Sequence, residues 1–295
     1  MNSATVTGIG LIAAVIAGFL FPQGSAGKPV IPFVLGAMLY FNFLALTLEL
    51  KSFVRYELAA FPVIVWGILP PLALLAGRML PGEIATGFFL AVITPPAVSG
   101  VVMASLMGGE KELPVVNAVI YNLLSPIAYT VLTGVWLSAA AVAVPVKAIL
   151  TEVGSVVIIP FVISIIVRRL PAVDRISKNI APFYNPLAMI FIVYTSIAVA
   201  SPRFRALPLL TALGIFGFVF CVASVLYAAG FIIGKDPSHR RSLAVSLGQK
   251  NVGLGMLVAL NNFSPLAAVP VVLYLISHHI INSVLIITRG TVAKK

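Results

Sequence analysis

Apolar residues run through this chain in long, nearly unbroken segments, and the short stretches between them hold most of the charged residues. The segments lack the two-residue alternation of barrel strands, and most approach the ~20 residues that a helix needs to cross a bilayer. They predict an all-α membrane protein with ten transmembrane helices. The ten spans are about Thr7–Phe21, Pro32–Leu48, Leu58–Leu75, Ile84–Met107, Leu113–Leu137, Ile149–Val167, Tyr184–Ala200, Leu209–Ile233, Ser242–Leu260 and Pro265–Thr288.

Two of these segments are interrupted by residues that disfavour a continuous helix. The fourth contains Thr94-Pro-Pro-Ala-Val-Ser-Gly100, and the ninth contains Ser246-Leu-Gly-Gln-Lys-Asn-Val-Gly-Leu-Gly255. Each is the fourth of five spans, one in the first half of the chain and one in the second. The pattern therefore predicts a 5+5 inverted repeat in which both helices are broken at a central binding site. The alternative is a simple proline kink in one helix and close packing at the glycines of the other.

Composition agrees with a membrane protein. The chain is 60% hydrophobic and 9% charged, whereas a soluble domain carries roughly 25% charged residues. Most of the 19 basic residues fall in predicted loops on the side shared by both termini. The positive-inside rule therefore places both termini in the cytoplasm and the protein in the cell (inner) membrane. The net charge of +11 is explained by these loops, so we expect no nucleic-acid partner.

The sequence offers little for a cofactor or an enzyme. The single cysteine, Cys221, allows no disulfide within the chain and no thiol metal site, and the N-terminus has no basic residues of the kind that open a cleaved signal peptide. A membrane enzyme would need a catalytic dyad or a metal cluster at bilayer depth. We find no such set, so we predict no catalytic residues and no cofactor.

Several short motifs resemble the bile acid:sodium symporter family, and the similarity covers nearly the whole chain. They are Leu35-Gly-Ala-Met38 with Leu46-Thr-Leu48 and Phe53, Val102-Met103 with Leu106 and Gly109, Leu113, Val115 and Ser125-Pro126, Gly248 and Asn251, and Phe263-Ser-Pro-Leu-Ala-Ala-Val-Pro270 with His278. The resemblance implies a panel domain (residues 1–55 and 145–205) and a core domain (56–144 and 206–295). It also implies that the broken helices cross, and that the protein carries organic anions, commonly with two sodium ions.

The sequence departs from that family at the positions expected to bind sodium. The family's shared carboxylate falls on Ser246 and its ninth-helix glutamine on Lys250. The remaining ligand positions are Gly100-Val101, Pro114, Ala118 and Trp66. All eight acidic residues lie in predicted loops or at span ends, although hard cations need clustered oxygen ligands. Lys250 would also repel a cation beside it. We therefore predict that the family's sodium sites bind no metal ion here.

Lys250 is the central candidate residue, because a charge at the centre of a membrane helix costs at least ~3 kcal/mol on insertion scales. One hypothesis is that its ammonium replaces sodium and attracts a small organic anion. A second adds proton coupling, with Lys250 protonated when substrate binds and deprotonated afterwards. The third is a purely structural cation that snorkels or binds helix-end carbonyls.

Other polar residues are candidates for the same site. Asn251 comes first, followed by Thr94 and Ser99 at the other break, then Gln249, Ser246 and Asn117. His278 also lies at depth, where a structural hydrogen bond is the simpler interpretation. We expect the lipid bilayer and a small organic anion as partners, and protons under the second hypothesis. The alternatives are sodium coupling through non-standard ligands, or a channel or sensor with the same fold.

Overall fold

A computed structural model describes residues 3–46 and 61–292. Every secondary-structure element longer than a single bridge in these residues is a helix. Short 3₁₀ turns at Pro22–Val30 and Pro265–Ala267 and π-helical turns at Val63–Ile68 and Thr133–Leu137 lie between or beside the α-helices. The α-helices are α1 (Ser3–Leu20), α2 (Ile31–Ala45), α3 (Leu69–Gly77), α4 (Gly82–Ile93), α5 (Gly100–Leu106), α6 (Glu112–Leu132), α7 (Val146–Val167), α8 (Pro171–Phe204), α9 (Leu209–Ile233), α10 (Pro237–Gly248), α11 (Val252–Asn262) and α12 (Ala268–Val292).

The helices identify a multi-pass membrane protein. Six helical stretches are long and apolar enough to cross a bilayer, and shorter apolar helices accompany them. Large apolar side chains face outward, among them Phe33, Leu210 and Ile232, which are about four-fifths exposed. Such a surface suits lipid rather than water. The number of ten spans and the inverted repeat stay predictions, and the end of the second span and start of the third lie outside the described residues.

The helix bounds differ most from expectation at α8. The sequence predicts a span at Tyr184–Ala200, whereas the helix runs from Pro171 to Phe204. Charged residues in its first turns made this stretch look like a loop. They are compatible with a helix because they lie at its exposed end, where Lys178 pairs with Asp174 one turn earlier at 2.7 Å.

The helices pack in overlapping groups. α1 packs against α8, and α2 packs against both α7 and α8. On the other side, α9 packs against α10 and α12, and α4 packs against α3, α11 and α12. Contacts of α6 with α7 and of α12 with α8 join the two sides. The division into panel and core domains stays a prediction.

Two glycines allow α10 to lie unusually close to α9. A Cβ atom at Gly230 would be 2.3 Å from the Ala244 backbone, and one at Gly248 would be 2.1 Å from the Tyr227 ring. Both distances are far below van der Waals contact, so larger residues would force the helices apart. α9 therefore fixes the position of α10, whose last residue directly precedes the second break.

Candidate functional site

The fourth and ninth spans are both broken, as the sequence predicts, and the structure brings the two breaks together. Residues 94–99 separate α4 from α5, and residues 249–251 separate α10 from α11. The backbone N–H of Ala97 donates to the Gln249 carbonyl at 2.9 Å, and that of Asn251 donates to the Pro95 carbonyl at 2.8 Å. The pair forms an antiparallel bridge between Pro96 and Lys250. Each break thus satisfies backbone groups of the other, which lipid cannot do.

Gln249 lies at the centre of a chain of side-chain hydrogen bonds. Its amide nitrogen donates to the Ser99 hydroxyl at 2.9 Å, which ties the second break to the first. Its amide oxygen accepts from Asn282 on α12 at 3.1 Å, and Asn282 in turn accepts from the Tyr227 hydroxyl on α9 at 2.7 Å. Sequence analysis did not single out Asn282 or Tyr227. The signal that could have identified Asn282 is an asparagine within the apolar tenth span.

Asn122 on α6 joins both breaks to a neighbouring helix. Its amide nitrogen donates to the Pro96 carbonyl at 2.9 Å and to the Ala118 carbonyl at 2.6 Å. Its amide oxygen accepts from the Asn251 side chain at 2.6 Å. The side chains of Asn251 and Asn122 therefore both help to hold the two breaks together.

Two tyrosines complete the hydrogen bonding around the helix ends. Thr94 donates to the Leu90 carbonyl at 2.7 Å and is hydrogen-bonded to the Tyr129 hydroxyl. Tyr274 donates to the carbonyl of Gly248, the last residue of α10, at 2.8 Å. These bonds satisfy groups that a broken helix leaves without partners.

A second set of buried polar atoms has no hydrogen-bond partner in the described part of the chain. It includes Lys250 Nζ, Ser246 Oγ, Asn117 Nδ2 and Oδ1, His278 Nδ1 and Trp66 Nε1. Lys250 is 1% exposed, and Ser246 and Asn117 are equally enclosed. His278 makes ring contacts with Tyr274 and His279, at centroid distances of 6.0 and 4.6 Å. The predicted site residues thus divide into partnered groups (Thr94, Ser99, Gln249, Asn251) and unpartnered groups (Asn117, Ser246, Lys250, His278).

None of the acidic residues within residues 3–46 and 61–292 is buried, in contrast to the residues of this site. Glu152 on α7 accepts from the side chains of Asn261 and Asn262 at 2.5 Å each. Both asparagines, which come directly after the predicted ninth span, thus have a carboxylate as their partner. Glu49 and Glu57 lie outside the described residues.

One acidic residue has a clear role outside the predicted spans. Asp236 caps the start of α10, accepting from the backbone N–H groups of Ser238 at 2.9 Å and His239 at 3.0 Å. The hydrogen bond from His239 holds the pKa of the Asp236 carboxyl below its ordinary value. The cap stabilises the half-helix that leads to the second break.

Comparisons with known proteins agree with the resemblance seen in the sequence. The model of the SBF-like CPA transporter family matches residues 50–289. A relative from Bacillus subtilis (strain 168), the uncharacterized sodium-dependent transporter YocS, is 27% identical over 94% of this chain and 88% of its own length. A second relative from the same organism, the uncharacterized protein YbaS, is 29% identical over 66% of this chain and 65% of its own length.

Proposed function

The chain belongs to the SBF-like CPA transporter family and is a membrane transporter, and from this we propose that it carries a small organic anion without sodium. One observation carries the proposal. The Lys250 ammonium lies fully buried beside the paired breaks, with no hydrogen-bond partner among the described residues. An anionic substrate would supply the countercharge that a buried ammonium needs.

The helix next to Lys250 favours an anion as well. α11 begins at Val252, two residues later, so the partial positive charge of its N-terminus lies at the same break. Among the predicted substrate contacts, Ser246 and Asn117 offer unpartnered hydrogen-bonding groups and His278 an unpartnered ring nitrogen. Thr94, Ser99, Gln249 and Asn251 would act mainly by holding the breaks in register.

Sodium is disfavoured by the same residues. A cation 4 Å from the Lys250 ammonium would be repelled by roughly 4 kcal/mol at an effective dielectric constant of 20. No described acidic residue is buried, so no described carboxylate at depth offsets that repulsion. The relative YocS is named sodium-dependent. At 27% identity, ion coupling need not be shared, because it depends on a few ligand positions.

Transport would follow an alternating-access mechanism in the cell membrane, with both termini in the cytoplasm. Backbone pairing joins the two breaks, so they would move as one unit of the core (residues 56–144 and 206–295). The panel (1–55 and 145–205) would move against it and expose the Lys250 site to each side in turn.

Lys250 would also allow transport of the anion to be coupled to protons. A lysine that is protonated when the anion binds and deprotonated on the return step would move one proton with each substrate. An inward pH gradient would then drive uptake without sodium.

The test begins with a thermal-shift screen of small organic anions on the purified protein. Uptake of each stabilising anion is then measured in proteoliposomes, with sodium replaced by choline. We expect equal uptake in both media. A strong, saturable dependence on sodium would overturn the proposal. Exchange of internal for external substrate would distinguish a carrier from a channel.

Lys250→Gln tests the role of the ammonium in the same assay. We expect it to fold and to lose uptake by at least about tenfold, together with any response to a pH gradient. Lys147→Gln is the matched control, since Lys147 is an exposed lysine at the start of α7. If the Lys250 variant transports normally with an unchanged pH response, Lys250 is structural.

A further inference from the structure

Four of the unpartnered polar residues lie on or beside helices that pack around one buried apolar cluster. Trp66 belongs to the π-helical turn before α3, Asn117 to α6, Ser246 to α10, and Lys250 to the break that follows α10. Their polar atoms are Trp66 Nε1, both ends of the Asn117 amide, Ser246 Oγ and Lys250 Nζ, and none has a hydrogen-bond partner in the described ranges.

Apolar contacts place three of these helices together. The Trp66 and Tyr121 rings lie 5.0 Å apart. The side chains of Phe61, Val65, Leu113, Tyr121, Leu243 and Leu247 form one buried cluster, against which Trp66 packs. Asn117 lies one helical turn from both Leu113 and Tyr121, so it shares their face of α6.

The polar residues at the end of α10 are close in sequence to leucines of the same buried cluster. Ser246 is one turn from Leu243 and adjoins Leu247, and Lys250 follows Leu247 by three residues. Both Leu243 and Leu247 belong to the buried cluster. The four polar residues therefore belong to elements that border the same buried cluster: the π-helical turn Val63–Ile68, α6, and α10 with the break after it.

The chemistry of this set selects an anion. The ammonium, the indole N–H, the hydroxyl and the amide NH₂ are all donors, while the Asn117 oxygen is the main acceptor. A metal cation would need oxygen ligands, and the described residues contain no group of three or more His, Cys, Asp or Glu that could hold one. Because these polar atoms are buried among apolar side chains, we take the anion to be a small one.

We propose that Lys250, Ser246, Asn117 and Trp66 bind one small inorganic anion, of which chloride is the physiological example. It would neutralise Lys250 when no organic substrate is bound. This inference rests on the proposed function only in taking the ammonium of Lys250 as the source of positive charge at the site.

Trp66 makes the site directly observable, because the chain has two tryptophans. Trp136→Phe leaves Trp66 as the only one, and bromide, a halide that quenches indole fluorescence on contact, replaces chloride as the probe. Bromide is titrated in a choline sulfate buffer at constant ionic strength, so that no organic anion competes for the site. We expect saturable quenching of Trp66. In Trp66→Phe, which leaves Trp136, quenching should rise linearly without saturation.

Substitutions in the Trp136→Phe background assign the binding to the proposed donors. Lys250→Met should abolish the saturable component. Ser246→Ala should raise the bromide concentration at half-saturation about tenfold, since hydrogen bonds to a charged partner contribute about that much. Ser224→Ala is the control, because the Ser224 hydroxyl already donates to the Phe220 carbonyl on α9, and it should leave the titration unchanged.

Two results would overturn the inference: linear quenching of Trp66, or saturation that survives unchanged in Lys250→Met. If Lys250→Met does not fold, an unchanged half-saturation in Ser246→Ala has the same meaning. The titration involves neither transport nor an organic anion. Its failure is therefore distinct from failure of the proposed function, which would appear as sodium-dependent uptake in proteoliposomes.

Discussion

The two breaks at the site are made from different residues and contribute differently. The first, residues 94–99, is six residues long and is opened by Pro95 and Pro96, which have no N–H to donate. It offers mainly carbonyls and two hydroxyls. The second, residues 249–251, is only three residues long, and each of them bears a long or polar side chain. The two backbones exchange one hydrogen bond in each direction. The side chains of the second break add donors, from Gln249 to Ser99 and from Asn251 to Asn122.

The difference shows how a charge can be kept at bilayer depth. Gln249 and Asn251, on either side of Lys250, are held by Ser99, Asn282 and Asn122. Lys250 itself pairs only through its backbone, with Pro96. The second break thus holds both of its amides, while the ammonium between them has no hydrogen-bond partner in the described ranges.

The largest expected effect comes from moving α10 away from α9. Gly230→Ala places a methyl group 2.3 Å from the Ala244 backbone, so we expect a loss of about 3 kcal/mol of folding stability, measured by thermal or denaturant unfolding in detergent. Gly217→Ala on the same helix is the control, because a Cβ there meets nothing within 4 Å. Equal stability of the two variants would contradict the close packing of α9 and α10.

Asn122→Ala should affect both breaks at once. It removes the donor to Pro96 and the acceptor of Asn251, and it leaves both groups buried without a partner. We expect a loss of about 2 kcal/mol of stability, together with slower transport. Asn185→Ala is the control, since Asn185 bonds only to Asn42 among the described residues, away from the breaks. If transport by the two variants is equal, Asn122 has no special role in the pairing.

Ser246→Asp should neutralise the second break without changing its shape. A carboxylate four residues before Lys250 would compete with an anionic substrate for the ammonium. We expect substrate affinity at least about tenfold lower than in Ser246→Asn, which has nearly the same size and no charge; a tenfold change corresponds to ~1.4 kcal/mol. Binding is measured by titration of a screened anion. Equal affinity in the two variants would show that Lys250 does not hold the substrate.

The smallest effect concerns the helices that lead into the breaks. α10 begins with the Asp236 cap, whereas α4 follows Pro81 without a side-chain cap. Because the folded pKa of Asp236 is lowered, its contribution to stability is full above its ordinary value of 3.8 and declines as the pH falls through the lower folded value. Asp236→Asn keeps a cap but should remove this part of the acid sensitivity. The melting temperature between pH 5 and pH 3 measures it, and identical curves would contradict the prediction.

Much of the architecture follows from the sequence alone. Continuous apolar runs with few charges predict helices in a bilayer, because backbone groups in lipid must be satisfied within the segment. Pro95-Pro96 and the glycines around Lys250 predicted both breaks. The family resemblance and the absence of other charges at depth singled out Lys250.

The tertiary structure decided which polar residues have partners. The sequence could not show that Asn122 bonds to Asn251, that Asn282 and Tyr227 hold Gln249, or that Glu152 binds Asn261 and Asn262. These partners are 33 to 129 residues apart, and helical periodicity specifies only the face on which a residue lies. The same reason applies to Ser246 and Asn117. Only the packing of α6 against α10 and its neighbours leaves their polar atoms, and the Lys250 ammonium, buried without a hydrogen-bond partner in the described residues.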